Sequence, residues 1–402
     1  MTLSDHATIT EPENTASLPN SDRPESNRFA WVDILRGLSA FGVVLFHCRV
    51  DLYAGWNEIR SHPEAYSAAD RLGSYLSLPM AFMGSGVMLF FVLSGFCVHY
   101  PYAQARKKFL AGGYAARRLL RIYLPYFAAI ILTILLETLA WRLSGPEPSS
   151  LSTIWRSLLM VQNYGPEAGQ MAGNPSLWSL PVEIELYAAY PLFLWIMRRF
   201  GIKWSLAFVG VVSGLSCLAM NRGGTFPDGG FLPYWIIWCT GAAVAECAVA
   251  AKLRLPSLWL WVGTVSCLAA SIATTLLADH LMLKQYVWTS FYLGLLVLGL
   301  RSSKIQEWVA CKPGRWLVGL GAITYSLYLI HFPLLRVMGA AWVKYAGDKP
   351  SNIAVPVLGA LLCLPLAYMF FRLVEKPSHE WARRLGEYMD SRRAISTTEE
   401  GA

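Results

Sequence analysis

Residues 31–48 read WVDILRGLSAFGVVLFHC. This run is apolar enough to cross a bilayer as a helix, yet it carries Asp33, Arg36 and His47. An α-helix turns about 100° and rises about 1.5 Å per residue. Asp33 therefore lies about 60° from Arg36 around the helix and His47 only about 20° from it, with the compact Ala40 and Val43 between them. The three form one polar stripe. Arg36 and His47 are eleven residues apart, a rise of about 16 Å, which puts them in opposite halves of a bilayer. Ionisable groups are costly in hydrocarbon, so the stripe has to face the inside of a bundle.

The rest of the chain supports a membrane setting. It has 402 residues with 34 Lys and Arg, 26 Asp and Glu, and a charged fraction of 15%, against about 25% in soluble proteins. Its 16 Trp and 19 Tyr suit the bilayer interface, where amphipathic rings collect. Ten stretches of roughly the length needed to span hydrocarbon lie near residues 30–51, 83–100, 121–142, 177–197, 204–220, 231–250, 256–278, 284–300, 316–343 and 352–373. The expected fold class is an all-α polytopic membrane protein, about ten transmembrane helices in one bundle. With the N-terminus in the cytoplasm, 23 Lys and Arg fall in inward segments and nine in outward ones, which places both termini in the cytoplasm. The net charge of +8 is then a topology signal, and no nucleic acid is expected as a partner. Residues 1–28 read as a disordered cytoplasmic leader with no signal peptide. Residues 29–376 read as the transmembrane domain and 377–402 as a cytoplasmic tail. The eight cysteines show no CxxC spacing and read as small core hydrophobes.

Further polar groups lie within the spans. In NPSLWSLPVEIELYAAYPLF, residues 174–193, Ser179, Glu183, Tyr187 and Tyr190 share one face at helical spacing. Glu183 falls at a depth similar to His47, so the two are expected to meet across the bundle, Glu183 holding the imidazole. Glu185 is 200° round the helix and is expected to serve a neighbouring helix or loop. Arg118 and Arg121 project together at i, i+3 before the third span; as a pair they suit phosphate oxygens, or simply mark the inner face. His331 precedes Pro333 in YSLYLIHFPLLR, residues 325–336, where Pro is expected to break the helix and leave the histidine as a site wall or as packing. Ser94 and Gly95 in FVLSGF (91–96) allow close helix approach. A structural reading of the first span also stands, with Asp33 and Arg36 as an i, i+3 ion pair and His47 as a satisfied core histidine. No Walker loop, HExxH, GxSxG or metal-spaced His/Cys cluster is present, so no metal is expected.

These elements in this order resemble the acyltransferase type 3 family of bacterial membrane O-acyltransferases. The resemblance covers about 29–377. It rests on the Arg36-x10-His47 pattern, GVMLFFVLSGF (86–96), Arg118-x2-Arg121 before IYLPYF, WSLPVEIELYAAYP (178–191), YSLYLIHFPL (325–334) and VEKP (374–377). It implies a multi-pass protein of the bacterial cytoplasmic (inner) membrane that moves an acyl group from cytoplasmic acetyl-CoA or another acyl-CoA. The implied acceptor is a hydroxyl of an extracytoplasmic glycan. It implies His47 as the catalytic histidine, general base or transient acyl carrier, with Arg36 and Glu183 beside it. Arg118, Arg121 and Arg36 are implied donor-binding residues, and Asp33, Tyr187 and His331 are expected to touch substrate. Ile184 and Leu186 stand where the family commonly has an acidic residue and Phe. Polysaccharide-assembly proteins are compatible partners. The rival class is a secondary transporter, which also buries charges among broken helices, although the two halves show no internal similarity.

Overall fold

The computed structural model describes residues 26–105, 109–165, 168–221, 230–250 and 257–399. The expected leader lies almost wholly outside them. Among the described residues there is no strand, and ten helices are long and apolar enough to cross a membrane, as expected for a multi-pass protein. They are α1 (Ser26–Asp51), α2 (Gly86–Ala105), α3 (Ala111–Leu143), α4 (Ser179–Phe200), α5 (Ile202–Asn221), α6 (Leu232–Val249), α7 (Ser257–Leu277), α8 (Leu281–Arg301), α9 (Thr324–Ala346) and α10 (Ala354–Phe370). A further helix, α11, runs Lys376–Glu399.

The polar stripe helix is central. α1 touches α2, α9, α10 and the short helix Lys312–Ala322. More than half of its apolar window is buried, 56%, against 11% for α7 at the periphery, so the charged stripe is shielded by protein. α1 and α9 run in the same direction, as two contacts in register show: His47 meets His331, and Arg336 pairs with Asp51 at 2.9 Å. α2 and α6 approach until Gly95 lies on the Trp238 carbonyl, where any side chain would collide with backbone. Glycine at this position follows from that separation.

The expected 316–343 span differs in an instructive way. It is interrupted at Ile323, between Lys312–Ala322 and α9, and continues unbroken through Pro333. Proline at 333 leaves the Leu329 carbonyl without its helical donor, and the Asn174 amide supplies one at 2.8 Å. Likewise Pro191 in α4 frees the Tyr187 carbonyl, which accepts from the Tyr114 hydroxyl at 3.1 Å. Side chains of other segments thus keep both helices intact where no water is at hand.

The break at Ile323 exposes amides at the start of α9, which has no side-chain cap of its own. Glu375 supplies it from elsewhere: its Oε2 accepts from the Ser326 amide at 3.0 Å and from the Ser326 hydroxyl at 2.5 Å. A carboxylate is favoured at that helix end. Glu375 reaches inward because α10 passes into a π-helical segment at Phe371–Glu375, where the extra residue turns the helix face. The expected tail from 377 is largely α11, which packs along α3.

Candidate functional site

Three helices carry the arginines and carboxylates into one space. Asp33 and Arg36 enter from α1, Arg118 and Arg121 from α3, and Glu183 with Tyr187 from α4. Together with Ser94, Tyr325, Tyr328, Glu375 and His379 they line an internal cavity of about 360 Å³, within the range of small-molecule sites. Asp33 and Arg36 form the expected i, i+3 pair at 3.7 Å. The Arg118 guanidinium lies over the Tyr187 ring at 5.4 Å, an arrangement that suits the planar arginine fork and leaves its edge donors free.

Glu183 sits on the cavity wall. Its Oε1 accepts from the Tyr187 hydroxyl at 2.5 Å and lies 3.3 Å from Ser94 Oγ, which in turn accepts from Trp238 Nε1 at 3.2 Å. Ser94, read from sequence as packing or as room for a ligand arm, lines the cavity and is part of this polar network. Glu185 points away, as expected. Its two oxygens accept from the Tyr164 hydroxyl at 2.6 Å and the Phe231 amide at 2.9 Å. Burial, with Glu185 beside it, pushes the Tyr164 phenol up, so it stays protonated and donates.

The partner of His47 is not Glu183. His47 Nδ1 lies 2.8 Å from His331 Nε2, with the rings stacked at 5.1 Å between centroids. The protons in this pair follow from elementary bookkeeping. His331 Nδ1 faces the Tyr328 and Leu327 carbonyls at 2.8 and 3.1 Å. Carbonyls only accept, so Nδ1 carries the hydrogen and Nε2 of neutral His331 is an acceptor. His47 must then donate from Nδ1, which leaves its Nε2 lone pair open. His331, expected to touch substrate, is fully buried here, and both its nitrogens have partners. Glu183 cannot do this work because α4 delivers it to the arginines, while α9 runs beside α1 and delivers His331 to His47.

His47 does not line the cavity, which ends at Tyr328. The Tyr328 ring lies 5.8 Å from that of His331, and its hydroxyl donates to the Ser176 carbonyl at 2.6 Å and meets Ser179 Oγ at 2.7 Å. Tyr328 thus lines the arginine cavity on one side and neighbours the histidine pair on the other. Tyr328, Tyr325, Glu375 and His379 were not singled out in the sequence. The spacing of Tyr328 three before His331 is the signal for the first; Glu375 depends on the π segment, which no pattern announces. The cysteines divide: Cys48, Cys239 and Cys363 are buried in the core as expected, Cys97 lines the cavity, and Cys311 is exposed.

Fold and site together define a helical membrane protein with an arginine-lined internal cavity and, beyond its lining, a histidine pair. The chain matches the acyltransferase domain family, type 3, over residues 29–372 and belongs to it. Among curated proteins, the acyltransferase MdmB of Streptomyces mycarofaciens is 26% identical over 297 residues, 68% of this chain and 73% of that protein. The O-acetyltransferase PaAT-1 of Phomopsis amygdali is 26% identical over 371 residues, 79% and 69% of the two chains. Nodulation protein 10 of Rhizobium leguminosarum bv. viciae is 27% identical over 203 residues, 47% and 50% of the two chains. No solved structure gives a significant match.

Proposed function

We propose that this protein is a membrane O-acyltransferase that takes an acyl group, acetyl by preference, from cytoplasmic acyl-CoA and places it on a hydroxyl of an extracytoplasmic glycan. The observation that carries this reading is the sequence of chemistries through the bundle: arginines of α1 and α3 round one cavity, Tyr328 on its wall, then beside that tyrosine a histidine pair whose His47 keeps Nε2 open. Family membership and relatives described as acyltransferases favour acyl transfer over solute transport. The inward excess of Lys and Arg supports a reading with both termini and the arginine end in the cytoplasm, and that reading takes the membrane to be the bacterial inner membrane.

Arg118 and Arg121 hold phosphate oxygens of the donor, for which paired guanidiniums are suited. The slender pantetheine arm follows the cavity past Arg36 and Glu183, and displacement of the Tyr328 ring brings the thioester to His47. The acceptor hydroxyl attacks the thioester carbonyl and gives its proton to His47 Nε2, His331 holding the other nitrogen. The tetrahedral intermediate then collapses with cleavage of the C–S bond, and the imidazolium returns the proton to the departing thiolate. General-base help of this kind contributes about 10² to 10⁴ in rate. The same nitrogen also permits transient acylation of His47, which trapping with labelled donor distinguishes.

The test uses a deletion strain complemented with wild-type protein or with His47→Ala. Mass spectrometry of the envelope glycans should show an acyl group restored by the first only. In proteoliposomes the wild type should release free thiol from acetyl-CoA when that deacylated glycan is supplied. Undiminished acylation with His47→Ala would remove the mechanism, and solute uptake without thiol release would favour the transporter.

A further inference from the structure

A second cavity, of about 540 Å³, adjoins the first and shares Val98, Arg118, Arg121 and His379 with it. It opens at the end of the bundle where α3 begins. Two features separate it from the inner cavity. The first is a wall that combines apolar and aromatic groups, Pro101, Tyr102, Leu110 and Tyr114. The second is a pair of guanidiniums absent from the inner cavity, Arg117 of α3 and Arg383 of α11. Four arginines therefore border a space that holds one carboxylate, Asp390, which is already paired with Arg117 at 2.7 Å. Arg383 is exposed and makes no ion pair or hydrogen bond among the described residues. Like charges gathered round a cavity repel each other unless an anion enters.

We propose that α11 is part of the donor site: this outer cavity is a nucleotide subsite, in which Arg383 with Arg117 takes the ribose 3′-phosphate and the Tyr102 wall takes the purine. This rests on the acyl-CoA reading above and extends it to the far end of the donor. The order of groups along the cavities fits the order along the molecule. Arg118 and Arg121 border both cavities, where the diphosphate bridge joins the pantetheine arm to the nucleoside. Arg117 and Arg383 border only the outer one, where the third phosphate lies. Purine faces stack on aromatic side chains, and arginine forks match phosphate oxygens. α11 packs closely on α3: Gly113 lies against the Asp390 carboxylate, and a side chain there would have to displace it. The C-terminal helix is held by close fit and by the Arg117 pair, with Ala382 buried beneath it.

The experiment compares binding of acetyl-CoA and of acetyl-3′-dephospho-CoA to the full chain in lipid nanodiscs. Wild type should bind acetyl-CoA about tenfold or more tightly, the range of a lost charged hydrogen bond. Arg383→Gln should lose that preference while binding acetyl-3′-dephospho-CoA as wild type does, which also shows that the variant is folded. Arg383→Lys should keep part of the preference, and Arg384→Gln, which does not border the cavity, all of it. Preference retained in Arg383→Gln, equal loss for both ligands, or no preference in the wild type would each overturn the assignment. Binding of neither ligand by the wild type would instead sink the acyl-CoA reading on which it rests.

Discussion

Replacing His331 by Phe keeps a buried ring of similar width but removes the only acceptor that His47 Nδ1 has among the described residues. The stranded N–H either stays unpaired, at a cost of about 1–3 kcal/mol, or the proton moves to Nε2 and the lone pair needed for catalysis is lost. At 1.36 kcal/mol per decade of rate, the first outcome lowers kcat about five- to 150-fold, and the second approaches the 10² to 10⁴ of a missing general base. His331→Phe should therefore fall between wild type and His47→Ala in kcat. KM for acetyl-CoA should stay unchanged, because His331 is outside the donor cavity. His331→Gln offers an amide oxygen in place of Nε2 and should recover activity to within about tenfold of wild type. The assay is thiol release in proteoliposomes at saturating acetyl-CoA, with monodisperse elution as the check on folding. Wild-type kcat in His331→Phe, or no advantage of Gln over Phe, would refute the tautomer argument.

Other consequences can be measured directly. Asn174→Leu strands the Leu329 carbonyl that Pro333 leaves free, so denaturant unfolding in detergent should show a loss of about 1–3 kcal/mol; an unchanged midpoint would mean that the carbonyl finds another donor. Gly95→Val drives a side chain into the Trp238 carbonyl, and the protein should be recovered only as aggregate on size exclusion; a monodisperse active variant would contradict the close α2–α6 approach. Arg336→Leu leaves the half-buried Asp51 carboxylate without its partner, a loss of about 1–3 kcal/mol, whereas the double variant Asp51→Leu/Arg336→Leu should be more stable than the single one. Additive losses across that cycle would deny the pair. Arg118→Gln should raise KM for acetyl-CoA about tenfold with a smaller effect on kcat, reflecting one lost charged hydrogen bond.

The ten apolar stretches and the inward stripe of α1 were legible because hydrocarbon thickness and helix period leave a chain few options. Which groups meet was less legible. Asp33 and Arg36 are neighbours on one helix, so spacing alone paired them. His47 and His331 lie 284 residues apart, and depth in the bilayer cannot distinguish α9 from α4 as the neighbour of α1. Depth therefore favoured Glu183, wrongly. Proline rules placed a break at Pro333, but Asn174 from a distant segment repairs it, and the real interruption at Ile323 has no proline to mark it. Glu375 and the docking of α11 depend on a π segment, which departs from the helical period on which the sequence reading relies.

Tyr328 is tethered at its hydroxyl to Ser176 and Ser179, and this has a bearing on leakage. A bundle that handed a chemical group across a bilayer through a standing water-filled shaft would short-circuit the ion gradients the cell maintains. Here a phenol ring stands on the cavity wall beside the histidine pair, and turning it aside breaks two hydrogen bonds, each worth about 0.5–1.5 kcal/mol. A resting cost of about 1–3 kcal/mol keeps the ring in place most of the time, yet yields to an incoming substrate arm.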